Sequence, residues 1–335
     1  MKPTAGKLAG LKAVSDARGV IAAAAMDQRG SLQKSIGAAR GTDANADDLV
    51  VFKEMVTKVL TRYASAILLD PEFGLPAARQ RNDAGLLLAY EKTGYDAATP
   101  GRLPDLLDVW SVRRLKEAGA DCIKILLYYT PYESAAVNEL KHAWIERIGD
   151  ECNFHDIPFF LEPVGYDENG KGEKTLDYAR KKPSVVAKTM EEFGKERYSV
   201  DILKVEVPVE MTFVEGTQAY KGEKAYTRAE ALQLFRTAES ATDKPFIYLS
   251  AGVTNPIFIE TLALAGESGT KFSGVLCGRA TWYDGIKIYA TEGANAFEHW
   301  LNTTGVENIQ NVNEALKAAT PWYTKLGADS MEELG

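Results

Sequence analysis

Four charged residues interrupt or directly follow apolar stretches of this chain, and their types are the ones best suited to carry chemistry. They are Lys124 in CIKILLYY, Glu162 in FFLEPV, Lys204 in DILKVEVP, and Asp27 directly after VIAAAAM. Burying an unpaired charge in a protein interior is costly. Such groups therefore either pair with one another and hold a core together, or serve a reaction.

Two lysines that lie close together in an apolar pocket have a specific chemical use. Desolvation and a neighbouring positive charge both lower the pKa of an ammonium group, so one amine becomes a neutral nucleophile near neutral pH. A neutral amine adds to a ketone or aldehyde and forms an iminium, which accepts the electron pair of a breaking carbon–carbon bond. Glu162 and Asp27 are candidates for the acid/base group of this step. The residues alone leave open whether Lys124 or Lys204 is the nucleophile.

The elements that must position these groups are short apolar runs separated by longer amphipathic stretches. Runs of this kind are typical of parallel strands that helices cover on both faces. There are eight such runs, at 20–26, 66–70, 85–90, 122–129, 157–163, 201–207, 245–250 and 272–277. Their alternation with helices predicts an α/β protein, a (β/α)8 TIM barrel with extra C-terminal helices. A doubly wound open sheet is the alternative, but no GxGxxG motif follows a strand.

The predicted organisation is a single barrel domain over residues 1–335. It has an N-terminal segment at 1–19, the barrel at about 20–285 and the C-terminal helices at about 286–335. The third unit is the shortest, because little sequence separates the second and third runs.

Within this frame, apolar periodicity predicts helices at 49–60 and 106–119, and Thr254-Asn255-Pro256 predicts the start of another helix. Residues 98–104 and 165–182 read as long loops. Alternation along a strand places Lys204 and Glu206 on the same face as Ile202, directed inward.

The last two strand ends predict an anion site. Ser250-Ala251-Gly252 follows the seventh run and Gly278-Arg279 follows the eighth, where barrels of this kind bind phosphate with backbone N–H groups and a cation. The alternatives are an ordinary turn and a surface arginine. Gln28 and Arg29 follow the first run and are candidates for a second anion, or else form a solvated turn.

Composition excludes several other classes of protein. The formal net charge is −8, so no overall basic surface for nucleic acid is expected. Three cysteines without a close pair and three scattered histidines argue against a disulfide framework and a metal site. No segment reaches the length of a membrane span, and the N-terminus lacks the core of a signal peptide. We therefore expect a cytoplasmic protein without a metal, a cofactor, a nucleic-acid partner or a membrane partner.

Eight segments carry a resemblance that extends over nearly the whole chain. They are AMDQRGSL (25–32), LLDPEFG (68–74), LLLAYEKTGYDAATPGRLPDLLDVWSVRRLKEAGAD (86–121), KILLYY (124–129), IPFFLEP (157–163), DILKVEVP (201–208), YLSAGV (248–253) and GVLCGRATW (274–282). In these segments the chain resembles the class I tagatose 1,6-bisphosphate aldolase family. The resemblance implies a Schiff-base enzyme that cleaves a ketose bisphosphate into dihydroxyacetone phosphate and glyceraldehyde 3-phosphate.

The resemblance also implies roles for individual residues. The Schiff-base lysine of the family's DxLKVEVP motif corresponds to Lys204, and the acid/base glutamate of its FFLE motif corresponds to Glu162. The aspartate of DQRG corresponds to Asp27 and the lysine of strand four to Lys124. These four are the expected catalytic residues.

The expected ligand is a small sugar phosphate. Seven residues would bind it: Ser250, Ala251, Gly278 and Arg279 at the ketone-side phosphate, Gln28 and Arg29 at the far end of the sugar, and Glu91 of AYEKTGYD in a polar role that the sequence leaves unspecified. Two alternatives stay open, namely another ketose phosphate as substrate (sulfofructose 1-phosphate or fructose 1,6-bisphosphate) and a sugar-phosphate sensor that acts through a protein partner. We also expect a homo-oligomer.

Overall fold

The computed structural model describes residues 2–92 and 99–335, and its centre is a closed barrel of eight parallel strands. The barrel strands are β1 (Ile21–Met26), β2 (Ala66–Leu69), β3 (Gly85–Ala89), β4 (Cys122–Tyr128), β5 (Phe159–Val164), β6 (Ile202–Val205), β9 (Phe246–Leu249) and β10 (Gly274–Cys277). Around the barrel they follow the order β1-β10-β9-β6-β5-β4-β3-β2. Two short strands outside it, β7 (Val214–Glu215) and β8 (Tyr226–Thr227), pair with each other. Each predicted run overlaps one barrel strand, so the predicted TIM barrel is confirmed.

Side chains fill the barrel interior, as the alternation of residues along each strand requires. Small alanines from β1 share this space with larger residues such as Phe160 and Ile202. At the β1–β10 closure Ile21 lies beside Gly274, whose φ is 135°, and a Cβ on this glycine would lie 2.1 Å from the Ile21 carbonyl oxygen. Only glycine therefore lets these two strands approach closely enough to close the barrel.

Helices cover the outside of the barrel and extend beyond its last strand. They are α1 (Ala5–Ala13), α2 (Gly30–Arg40), α3 (Ala46–Leu60), α4 (Leu75–Ala78), α5 (Val112–Glu117), α6 (Ala135–Phe154), α7 (Leu176–Phe193), α8 (Arg228–Glu239), α9 (Asn255–Glu267), α10 (Arg279–Trp282), α11 (Gly285–Glu292), α12 (Ala294–Trp300) and α13 (Val306–Ala315). The helix between β2 and β3 has only 4 residues, as the short third unit predicts. No helix in the described ranges combines the length and apolar composition that a membrane span requires.

Two predicted boundaries are wrong. The helix predicted at 106–119 is helical only over α5, because Leu106 forms an isolated bridge with Glu91 and the Ser111 side chain caps the helix later. The loop predicted at 165–182 ends earlier, because Thr175 accepts a hydrogen bond from the Tyr178 N–H and begins α7.

The other predictions of helices and loops agree with the structure over the described residues. The helix predicted at 49–60 lies within α3, and α9 begins directly after Thr254, although the Thr254 side chain makes no capping hydrogen bond. Residues 99–104 of the predicted loop form neither helix nor strand, and residue 98 lies outside the described residues. The single-domain boundaries stay a prediction.

Candidate active site

The centre of the candidate site is Lys124, which points into the barrel from β4 and is fully buried. Its Nζ lies 2.9 Å from Asp27 Oδ2, 2.8 Å from Glu91 Oε1 and 2.8 Å from Glu162 Oε2. The three carboxylates come from the ends of β1 and β3 and from β5. Parallel strands in a barrel bring their carboxyl ends to one rim, and this is how residues far apart in the chain meet here.

The Glu162 carboxylate joins the two lysines. Its Oε1 lies 2.8 Å from Lys204 Nζ, while its Oε2 holds Lys124. Lys204 points inward from β6 and only 4% of its surface is exposed. One carboxylate therefore contacts both amines, at a distance suited to proton transfer with either.

The carboxylates that surround Lys124 and Lys204 differ in number. Burial favours the neutral form of Lys124, but attraction to Asp27, Glu162 and Glu91 outweighs burial and holds the pKa of Lys124 well above its ordinary value. Among the described residues Lys204 has one ion-pair partner, Glu162. The cluster therefore keeps Lys124 cationic.

The two acids at the ends of β1 and β3 respond differently to this environment. Burial raises the pKa of Asp27, but Lys124 and Lys204 lower it by more, so it lies well below its ordinary value. Burial raises the pKa of Glu91, and the attraction of Lys124 does not fully compensate. Asp27 is therefore held as an anion, whereas the pKa of Glu91 lies above its ordinary value even beside Lys124.

The structure brings the two halves of the predicted anion site together. Ser250 is buried at the end of β9, and Ala251 and Gly252 both have left-handed φ angles, of 49° and 73°. The Arg279 guanidinium lies against this turn, because a Cβ on Gly252 would be 2.6 Å from Arg279 Cζ. Arg279 is exposed, and Gly278 precedes it at the start of α10. A turn with an accessible guanidinium above it is suited to bind a phosphate.

Gln28 lies on the β10 side of the barrel mouth. A Cβ on Gly278 would lie 3.6 Å from Gln28 Nε2, and Gln28 Oε1 is buried without a hydrogen-bond partner among the described residues. The structure thus brings Gln28 close to Gly278, and its predicted contact with the far end of the sugar stays a prediction.

Arg29 is almost fully buried and contacts protein groups. Its Nη1 lies 2.6 Å from Glu72 Oε2 and its Nη2 donates a 2.7 Å hydrogen bond to the Glu91 carbonyl oxygen. These two bonds connect the loops that follow β1, β2 and β3. The predicted contact of Arg29 with the substrate stays a prediction.

Glu206 does not share the inward direction of Lys204, so that prediction is wrong. Strand β6 ends at Val205, and the Glu206 carboxylate accepts a 2.7 Å hydrogen bond from the Gly165 N–H and lies 3.4 Å from Lys182 Nζ. Alternation applies only while the strand continues.

Sequence reasoning missed Lys53 on α3, which lies directly behind the site. A signal for it exists, because Lys53 is four residues after Leu49 and three before Val56, on the apolar stripe of the helix. Within the described ranges no group of three or more histidine, cysteine or acidic side chains is arranged to hold a metal ion.

Comparisons with known proteins place this chain among aldolases. Residues 21–284 match the model of the DeoC/LacD family aldolases. The tagatose 1,6-diphosphate aldolase of Listeria monocytogenes serotype 4a (strain HCC23) is 51% identical over 327 residues, which cover 97% of this chain and 96% of that protein. Tagatose 1,6-diphosphate aldolase 2 of Enterococcus faecalis (strain ATCC 700802 / V583) is 54% identical over 327 residues, which cover 96% and 97%.

A solved structure shares the fold. The fructose-bisphosphate aldolase of Plasmodium falciparum, solved with TRAP and a small-molecule inhibitor, has a TM-score of 0.68 and 12% identity, and the match covers 96% of this chain and 97% of that chain. At this identity the likeness concerns the fold alone.

Replacing Lys124 tests the charge balance of the cluster. We expect Lys124→Met to lower the free energy of unfolding by about 3–5 kcal/mol at pH 8, because it leaves buried carboxylates without their cation. Without Lys124 the pKa of Glu91 rises further. A carboxyl whose pKa is higher in the folded state than in the unfolded state destabilises the fold at pH values above the folded-state pKa. This loss of stability becomes smaller as the pH falls through the folded-state pKa. Urea unfolding should therefore show a smaller deficit at pH 5 than at pH 8.

The matched control removes one of the uncompensated charges. Adding Glu91→Gln to Lys124→Met should restore part of the stability at pH 8 and little of it at pH 5. An equal deficit at both pH values would contradict this account of the cluster.

Proposed function

The chain belongs to the DeoC/LacD family of aldolases, and we propose that it is a class I aldolase that cleaves D-tagatose 1,6-bisphosphate into dihydroxyacetone phosphate and glyceraldehyde 3-phosphate. The observation that carries the proposal is the Glu162 carboxylate, 2.8 Å from both Lys204 and the cationic Lys124. The two relatives of 51% and 54% identity support tagatose bisphosphate as the substrate.

The first stage forms a covalent bond between enzyme and substrate. Lys204 gives a proton to Glu162, and its neutral amine attacks the C2 ketone carbon of the sugar. The new carbon–nitrogen bond leaves a positive nitrogen and a negative oxygen, and a proton passes from this nitrogen to the oxygen to give a hydroxyl. Glu162 then protonates this hydroxyl, water leaves, and an iminium links Lys204 to C2.

The second stage breaks the bond between C3 and C4. A base, assigned to Glu162, removes the proton of the C4 hydroxyl, C4 becomes the aldehyde carbon of glyceraldehyde 3-phosphate, and the bonding electron pair moves toward the iminium nitrogen to give an enamine. Protonation at C3 and hydrolysis of the carbon–nitrogen bond release dihydroxyacetone phosphate and the free amine. No oxidant or reductant is consumed.

The neighbouring residues hold the charges of these steps in place. Lys124 stays cationic and keeps Glu162 directed toward Lys204, while Asp27 orients Lys124 and the substrate hydroxyls. Ser250, Ala251, Gly278 and Arg279 take the C1 phosphate. Pre-set dipoles and charges of this kind stabilise a transition state without reorganisation during the reaction.

A cytoplasmic location and a homo-oligomeric state are also part of the proposal. Cys122, Cys152 and Cys277 are buried free thiols, which supports a reducing compartment.

Reductive trapping tests the covalent step. With tagatose 1,6-bisphosphate and borohydride we expect one adduct per chain, with the mass of reduced dihydroxyacetone phosphate, on the peptide that contains Lys204. Lys204→Met should lose both the adduct and nearly all cleavage activity, because the amine is the nucleophile. Peptide mass spectrometry and a coupled assay for glyceraldehyde 3-phosphate are the measurements.

Lys141 provides the comparison within the same digest. Burial lowers the pKa of Lys141 to about 8, so its amine is also partly neutral, but it lies on α6 against Tyr166. An adduct on Lys141 or Lys124, or full activity in Lys204→Met, would contradict the proposal. Treatment with EDTA should leave turnover unchanged, since the amine supplies the electron sink.

Arg279 tests the phosphate site. We expect Arg279→Met to raise the KM for the bisphosphate roughly 10- to 100-fold, because a hydrogen bond to a charged group contributes about 1.5–3 kcal/mol. Stability should change by less than about 0.5 kcal/mol, since the side chain is exposed. The control is Arg113→Met on α5, an exposed arginine paired with Glu117, which should leave KM unchanged. Equal KM values in both variants would argue against the site.

Turnover of three sugars, measured side by side, tests the substrate. We expect the highest kcat/KM for tagatose 1,6-bisphosphate, lower values for its C4 epimer fructose 1,6-bisphosphate, and the lowest for sulfofructose 1-phosphate. A preference for sulfofructose 1-phosphate would retain the chemistry and replace the substrate, and no turnover of any sugar would favour a sensor.

A further inference from the structure

A second lysine–carboxylate pair lies behind the candidate site, and the proposed mechanism does not use it. Lys53 of α3 and Asp70, directly after β2, are both 0% exposed, and Lys53 Nζ lies 2.6 Å from Asp70 Oδ2. Taking two charges out of water costs free energy that their attraction repays only with good geometry. Packing alone therefore does not explain why a charged pair lies at this position.

The remaining bonds of Lys53 supply that reason. Its Nζ donates to the carbonyl oxygen of Met26 at 2.6 Å and to that of Gln28 at 2.7 Å. These carbonyls belong to the residues on either side of Asp27, the last residue of β1 and the second residue after it. One buried ammonium thus holds the peptide unit that joins Met26 to Asp27 and the one that follows Gln28, and so constrains the direction of the Asp27 carboxylate.

Asp70 extends the same support to the next strand ends. Its Oδ1 accepts hydrogen bonds from the backbone N–H groups of Glu72 and Phe73, at 3.0 and 2.8 Å. Glu72 holds Arg29, and Arg29 donates to the carbonyl oxygen of Glu91. This series of contacts therefore ends on the backbone of Glu91, the second acid that contacts Lys124.

An apolar residue at position 53 would suit the packing of α3 but not these bonds. The neighbours on the stripe are Leu49 and Val56, so a methionine would occupy the same space. It would leave two buried carbonyls without a donor, and a carboxylate displaced by about 1 Å can cost 100-fold in rate.

We propose that Lys53 and Asp70 are positioning residues of the aldolase reaction, and that they act on the chemistry through Asp27. The inference rests on the proposed function in one respect, namely that Asp27 takes part in carbon–carbon cleavage.

A double-mutant cycle between Lys53 and Asp27 tests the inference. We expect Lys53→Met to lower kcat about 10- to 100-fold in the wild-type background. In the Asp27→Asn background the same replacement should lower kcat by less than about threefold, because the group through which Lys53 acts is already removed. Steady-state cleavage of tagatose 1,6-bisphosphate and urea unfolding are measured for all four proteins.

The matched control is another lysine–aspartate pair of this chain. Lys7 of α1 lies 2.8 Å from Asp201, just before β6 and thus at the opposite end of the barrel. Lys7→Met should lower stability without lowering kcat, which separates positioning from a general loss of stability.

Asp70→Asn is the milder variant if Lys53→Met does not fold. It keeps an oxygen for the Glu72 and Phe73 N–H groups but removes the charge that holds Lys53 in place. We expect a loss of kcat of about 3- to 10-fold in the wild-type background and almost none with Asp27→Asn.

The outcomes separate this inference from the proposed function. Equal losses of kcat in both backgrounds, or no loss in either, would overturn the positioning role even if borohydride traps an adduct on Lys204. Coupling between positions 53 and 27, together with an adduct on another lysine, would support the positioning role and overturn the Schiff-base assignment.

Discussion

The contact on which the rest of the site depends is the ammonium of Lys124 inside a ring of three carboxylates. A fully buried cation is tolerated only where opposite charges surround it closely, and Asp27, Glu91 and Glu162 do so at 2.8–2.9 Å. This requirement explains why acids stand at the ends of β1 and β3 and on β5. It also explains why Lys53 and Asp70 lie behind these acids, because the loops after β1 and β3 must hold their positions for the ring of carboxylates to exist.

The same arrangement separates two residues of identical type. Lys124 lies in a strongly anionic position that keeps its proton, whereas Lys204, on the adjoining side of Glu162, has a single acidic partner among the described residues. One glutamate thereby contacts both a permanent cation and the proposed nucleophile. The glutamate can exchange protons with Lys204 while Lys124 stabilises its charged form. Positions on neighbouring strands, rather than special residue types, produce this division of roles.

Much of the fold and part of the site follow from the order of residues along the chain. The eight apolar runs predict the barrel, since a strand covered on both faces must be apolar throughout its length. The predictions that are wrong concern ends of elements. Residue 106 reads as helical, but its backbone pairs with Glu91, and Glu206 reads as inward-facing, but its strand ends one residue earlier. In both cases a contact with another part of the chain decides the local conformation.

The amino-acid order by itself determined the strand and helix types, the inward direction of Lys124 and Lys204, and the strand-end location of Asp27 and of the two loops proposed to bind phosphate. These properties depend on neighbours a few residues apart. The tertiary structure alone decided that three carboxylates surround Lys124, that Glu162 contacts both amines, and that Lys53 and Asp70 support Asp27. The reason is that charge effects depend on distance through space, and the partners of Lys124 lie as many as 97 residues away along the chain.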